Sequence, residues 1–138
     1  MVRRMTTILL IGSDVALLEG LSQSLAAGGY VTRLSPTLAE ATELASVQPP
    51  LVAVVERALA SRDMAVLRLP LAQGGALVLY RPTVEDAGAL SPALQRAVLA
   101  DLTLPLERHR LVALIQRVEE RARATGRGQT PAPEQRAP

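Results

Sequence analysis

Cysteine and lysine are both absent from this chain, and histidine occurs once, as His109. Without cysteine there is no disulfide scaffold, no thiolate nucleophile and no Cys-ligated metal or iron–sulfur centre. A lone histidine excludes a His-rich metal site and argues against a Ser-His-Asp triad. With no lysine there is no Schiff-base chemistry and no phosphate-loop lysine. Aromatic residues are reduced to two tyrosines, so a base-stacking surface for single-stranded nucleic acid has almost nothing to work with. Long apolar runs are missing too. Ile8-Leu9-Leu10-Ile11 is far too short for a membrane span or a signal-peptide core, and the expectation is a cytoplasmic chain with no membrane contact.

What remains is still a folding sequence. Its 138 residues suffice for one domain, and 49% hydrophobic against 20% charged residues allows a buried core. All 15 basic residues are arginine, but 13 acidic residues leave a net charge of only +2, which is not a nucleic-acid signature.

Apolar runs and helical patterns alternate along the chain. Ile8–Ile11 reads as a strand buried on both faces that ends at Gly12-Ser13-Asp14. Leu17, Leu18, Leu21 and Leu25 form a helical stripe, capped by Ser13 or Asp14 and stopped by Gly28-Gly29. Tyr30–Leu34 is a second strand. Ser35 as cap and Pro36 at the first helical position predict a second helix with Leu38, Ala41, Leu44 and Ala45 on one face. Leu51–Val55 is a third buried strand ending at Glu56, and a third helix is predicted within Ser61–Leu69. Ala76–Tyr80 is a fourth strand. The helical stretch Thr83–Val98 is interrupted at Ser91-Pro92, and Leu99–Leu102 is a weak fifth strand. Glu107–Ala124 is the clearest helix, with Leu111, Leu114, Ile115, Val118 and Ala122 on one face. From about residue 125 to 138 the composition turns to Pro, Gly, Gln and Arg, and this tail is expected to be disordered.

Repeated strand–helix alternation predicts an α/β three-layer sandwich, with five parallel strands and helices on both faces. Ligand sites in such sheets lie at the carboxyl ends of the strands. Here those ends carry Gly12, Ser13 and Asp14, then Glu56 and Arg57, then Tyr80 and Arg81, then Thr103 and Leu104.

The order of these stretches resembles a response-regulator receiver domain of two-component signalling, with a flavodoxin-like fold, over about residues 6–124. The resemblance is carried by Ile8–Asp14 with Leu17–Leu21, by Ala27-Gly28-Gly29-Tyr30, by Pro50–Glu56 and by Leu102-Thr103-Leu104-Pro105-Leu106. It implies phosphoryl transfer onto an aspartate ending the third strand. An acidic pair after the first strand would hold Mg²⁺, with a Thr or Ser ending the fourth strand and a Lys before a proline after the fifth. Carried over position by position, the acidic pair falls on Gly12 and Ser13, with Asp14 adjacent, and the phosphoacceptor on Glu56. The hydroxyl falls on Tyr80 or Arg81, the lysine on Leu104, and the aromatic switch residue of the fifth strand on Asp101. Pro105 is kept, and the resemblance suggests a cis Leu104-Pro105 bond.

With one carboxylate where three are needed, and leucine for lysine, the implied reading is a degenerate pseudo-receiver. It would be no enzyme, need no cofactor and bind Mg²⁺ poorly. Glu56 either imitates the phosphorylated state or is simply paired with Arg57, Arg81 or water, and Arg81 is expected to reach it in place of the metal and lysine. The function expected is phosphorylation-independent association with a signalling protein or a second copy. The residues after 124 are too few and too polar for an output domain. The surface expected to carry that association includes Arg96, Asp101, Arg110 and Arg117, while His109 should face solvent near the start of its helix. Two alternatives stand beside this reading. One is a divergent receiver still phosphorylated through Glu56 or Asp14, and the other is a nucleic-acid binder using the arginines of the last helix.

Overall fold

The computed structural model describes residues 6–83 and 90–129. Five strands, β1 (Thr7–Ile11), β2 (Val31–Ser35), β3 (Val52–Glu56), β4 (Ala76–Arg81) and β5 (Val98–Thr103), form one parallel sheet in the order β2-β1-β3-β4-β5. The helices are α1 (Val15–Ala27), α2 (Leu38–Val47), α3 (Arg57–Arg62), α4 (Pro92–Ala97) and α5 (Arg108–Gln129). This is the doubly wound α/β architecture expected from the alternation of apolar runs.

Strand pleating divides the core. Ile8, Leu10, Val52, Val54, Val78 and Leu102 point to one face, where Leu18, Leu21 and Leu25 of α1 and Leu111, Ile115 and Val118 of α5 cover them. Leu9, Ile11, Ala53, Val55 and Leu79 point to the other, against Leu38, Ala41 and Ala45 of α2, Ala60 of α3 and Leu94 of α4. Strands β1 and β3 are apolar at nearly every position because both of their faces are covered.

Caps set several boundaries. Asp14 opens α1, its Oδ1 accepting from the Leu17 N–H at 3.1 Å, and Gly28 closes it. The second helix starts later than Ser35-Pro36 predicts. Thr37 is its cap, its Oγ1 accepting from the Glu40 N–H at 3.2 Å, while Ser35 stays in β2 and donates to the Thr37 carbonyl. The third helix is displaced as well. It occupies Arg57–Arg62, and Met64–Arg68 form a separate 3₁₀ turn after Asp63, whose Oδ1 accepts from the Ala65 N–H. In the Ser91-Pro92 region, Ser91 caps α4 through the Leu94 N–H with Pro92 in the first helical turn, so this pair begins a helix rather than kinking one. Residues 84–89 of the same expected helical stretch lie outside the described residues. The last helix extends to Gln129, past the expected end at Ala124, so at least the first residues of the expected tail are helical backbone. Positions 130–138 lie outside the described residues. The Leu104-Pro105 bond is cis.

Candidate functional site

Loops after β1, β3, β4 and β5 converge at the carboxyl end of the sheet, and the expected pocket residues separate there into two groups. The parallel register sets Glu56 beside Tyr80, and Arg81 one position further, beside Thr103. Because side chains alternate along a strand, Glu56 and Tyr80 share the α1/α5 face while Arg81 projects to the face of α2, α3 and α4.

On the α1/α5 side, Glu56 Oε1 accepts two hydrogen bonds, from the Ser13 N–H and from Ser13 Oγ, both at 2.9 Å. The carboxylate is thus held by the loop after β1, and the expected Arg81–Glu56 pair is not formed. Tyr80 fills the space beneath. Only 1% exposed, it belongs to the core cluster with Leu10, Leu18, Leu102 and Leu104. Its hydroxyl presses against Gly12, where an added Cβ would lie 1.9 Å from Tyr80 Oη and 3.4 Å from Glu56 Oε1. That oxygen is buried and has no hydrogen-bond partner among the described residues. Burial, then the charges of Glu56 and Asp14, raise the Tyr80 phenol pKa far above its ordinary value, so the phenol stays protonated. Leu104, at the position the resemblance assigns to lysine, is fully buried in the same cluster.

On the opposite side, Asp101 gathers two cations. Its Oδ2 lies 3.6 Å from Arg57 Nε and 3.9 Å from Arg81 Nη1, and Arg81 Nε donates to Thr103 Oγ1 at 3.4 Å. Asp101 Oδ1 is buried without a hydrogen-bond partner among the described residues. Nearby, Glu107 receives the Thr103 N–H at 2.7 Å and pairs with Arg110 at 2.7 Å. These two contacts, the backbone one first, hold the Glu107 carboxyl below the usual carboxylate range.

This arginine–aspartate cluster was missed by sequence reasoning, which placed Asp101 on a partner surface and Arg81 on Glu56. Strand parity was the available signal: Arg81 is one residue from Tyr80 and Asp101 one residue from Leu102, the register partner of Tyr80, and such odd offsets point away from the Tyr80 face. Of the four residues expected on the partner surface, Arg96, Arg110 and Arg117 are exposed. The Asp101 side chain is only 24% exposed and turned into its ion pairs. His109 is exposed, as expected.

The donor set at the mouth is already committed. Glu56 Oε1 is engaged by Ser13, Asp14 Oδ1 caps α1, Gly12 offers no side chain, and a phenol occupies the volume between them. Among the described residues, no three His, Asp or Glu side chains are grouped so as to hold a metal ion, and no helix is long and apolar enough to cross a membrane.

No family model matches the sequence, and no curated protein matches it. Solved structures do. A CheY-like response-regulator receiver domain from Methylobacillus flagellatus superposes with a TM-score of 0.67 at 15% identity, covering 83% of this chain and 99% of that one. The signal receiver domain of an HD domain-containing protein from Pseudomonas fluorescens Pf-5 gives a TM-score of 0.69 at 19% identity, covering 92% and 96% of the two chains. An orphan response regulator of H. pylori gives 0.62 at 18% identity, with coverages of 88% and 99%. The fold is therefore the CheY-like, flavodoxin-like fold of receiver domains.

Proposed function

We propose that this chain is a receiver-like module of two-component-type signalling that acts by phosphorylation-independent association with a protein partner, in the cytoplasm and without catalysis of its own. The receiver fold supports the coarse reading, since such domains work by protein contacts. One observation carries the finer reading: Tyr80 fills the mouth of the sheet, against Gly12 and beneath Glu56. In a phosphorylated receiver that volume would have to admit the metal and the phosphoryl oxygens.

The remaining residues support the same reading. Magnesium prefers near-octahedral oxygen ligands, several of them carboxylate or water, and the residues at this mouth do not fit it. Leu104 supplies no cation to a phosphoryl group, and Arg81 is turned to the other face with Asp101. Ser13 holds Glu56 Oε1 with two hydrogen bonds, which supports a mouth whose conformation needs no phosphate. Function then rests on the outer surface, where Arg96, Arg110 and Arg117 are displayed.

The test is an amide-resolved NMR titration of the full chain with Mg²⁺ and beryllofluoride, a phosphoryl mimic. The expected result is unchanged resonances at Gly12, Ser13, Glu56, Tyr80 and Leu104. Saturable shifts at those positions would overturn the reading and restore the phosphorylatable receiver.

A further inference from the structure

The end of the sheet opposite Glu56 carries a cleft that shares only Arg96 with the surface named in the proposed function. A surface cleft of about 240 Å³ opens where β4 and β5 begin, between the end of α4 and the outer turns of α5. Arg96 of α4 and Arg121 of α5 both line it, and Leu99 and Val118 contribute apolar lining. The Gly74-Gly75 turn supplies bare backbone along one edge. Gly74, at φ +82°, comes so close to α5 that an added Cβ would meet Ala122 at 3.0 Å.

Among the described residues both arginines lack a partner. Neither makes an ion pair or side-chain hydrogen bond among the described residues, whereas Arg57, Arg81 and Arg110 are each held by a carboxylate. Their helices offer them nothing either. No acidic residue stands three or four places from Arg96 within α4, or from Arg121 within α5. The carbonyl end of α4 favours a cation at Arg96, but that does not account for a second guanidinium facing the same cleft from another element. Two forked cations brought to one small cavity by different helices suit a compact anion with several oxygens.

We propose that this cleft binds a small dianion, either a phosphate group or a short dicarboxylate, with Arg96 and Arg121 each taking one anionic edge. The volume is below that of ordinary drug-sized pockets and sets the ligand at a few carbons. Leu99 and Val118 favour an apolar backbone in that ligand over a heavily hydroxylated one.

The experiment is an amide-resolved NMR titration of the full chain with sodium phosphate and, separately, sodium succinate, each against sodium chloride at matched ionic strength. Saturable shifts confined to Gly74, Gly75, Val98, Leu99 and the Arg121 turn are expected for at least one probe, with a Kd on the order of 1 mM for so small a ligand. A preference for one probe identifies the anion as phosphate or dicarboxylate. Arg96→Gln and Arg121→Gln should each weaken that binding about tenfold while leaving the urea midpoint unchanged, because both side chains are exposed. Shifts that fail to saturate, that chloride reproduces, or that persist unchanged in both variants would overturn the proposal.

Discussion

The hydroxyl of Tyr80 stands where any side chain at position 12 would have to begin: a Cβ on Gly12 would lie 1.9 Å from it. Glycine at position 12 and tyrosine at position 80 are thus coupled. The mouth of the sheet is closed by this pair as much as by any loss of carboxylates.

Gly12→Ala should therefore destabilise the fold by about 1–3 kcal/mol, the usual cost of forcing extra volume into a packed site. Tyr80→Leu should relieve that cost, so the double variant should be more stable than the two single effects summed. Urea unfolding of the four proteins measures the coupling, and strict additivity would mean that the two residues do not meet.

Tyr80→Phe removes a buried oxygen that no described residue satisfies. Removing such a group is expected to be neutral or to stabilise by up to about 1 kcal/mol, in contrast to the ordinary loss on deleting a hydrogen-bonded hydroxyl. A clear fall in the urea midpoint would place a partner on that oxygen.

Asp101 is the shared counter-ion of Arg57 and Arg81. Asp101→Asn takes the shared carboxylate from a buried and a largely buried guanidinium group and should cost about 1–3 kcal/mol. Arg117→Gln on the exposed face of α5 should cost less than about 0.5 kcal/mol by the same measurement. Equal effects would show that the Asp101 cluster is no more than surface charge.

Alkaline titration should be unusually clean, because with no cysteine and no lysine the two tyrosines are the side chains that change charge between about pH 9 and 12. Burial, then Glu119, pushes Tyr30 up to about 12 from 10.0, and its hydroxyl donates to Glu119 Oε1 at 3.1 Å. The unfolded chain releases this proton near pH 10 while the folded chain holds it to about 12. The folded state then binds more protons, and stability falls as pH rises through that window. Tyrosinate absorbance should appear late in the native protein and near pH 10 in urea. Tyr30→Phe should flatten part of the loss of stability.

Much of this was legible in the sequence. The five apolar runs gave the strands, and Leu18, Leu21, Leu25, Leu111, Ile115 and Val118 gave the covering faces of α1 and α5, because periodicity reports burial directly. Short elements were less legible. Arg57–Arg62 has no apolar stripe long enough to register, and two capping residues lie within three positions at Ser35 and Thr37, so the start of α2 depends on which hydroxyl reaches a free N–H. At the site, composition correctly located Glu56 at a strand mouth but not its partner. The error of pairing it with Arg81 came from treating residues at the ends of neighbouring strands as facing one another, when successive strand residues face opposite ways. The Tyr80–Gly12 contact left no trace in one sequence, because it needs the registers of β1 against β3 and of β3 against β4.

The sheet order also fixes which hydrogens exchange with solvent last. Strands β1 and β3 lie inside the sheet, laddered on both edges and covered on both faces, whereas among the described residues β2 and β5 each leave one edge unladdered by another strand. Amides of Leu9, Leu10, Ala53 and Val54 should be released only on global opening, while those of the outer strands leak through local fluctuations. Glu56 is the last residue of one of these inner strands. Its mouth thus stands on the part of the molecule expected to exchange slowest, and the larger motions would be found towards the rim, not in the floor on which Glu56 is mounted.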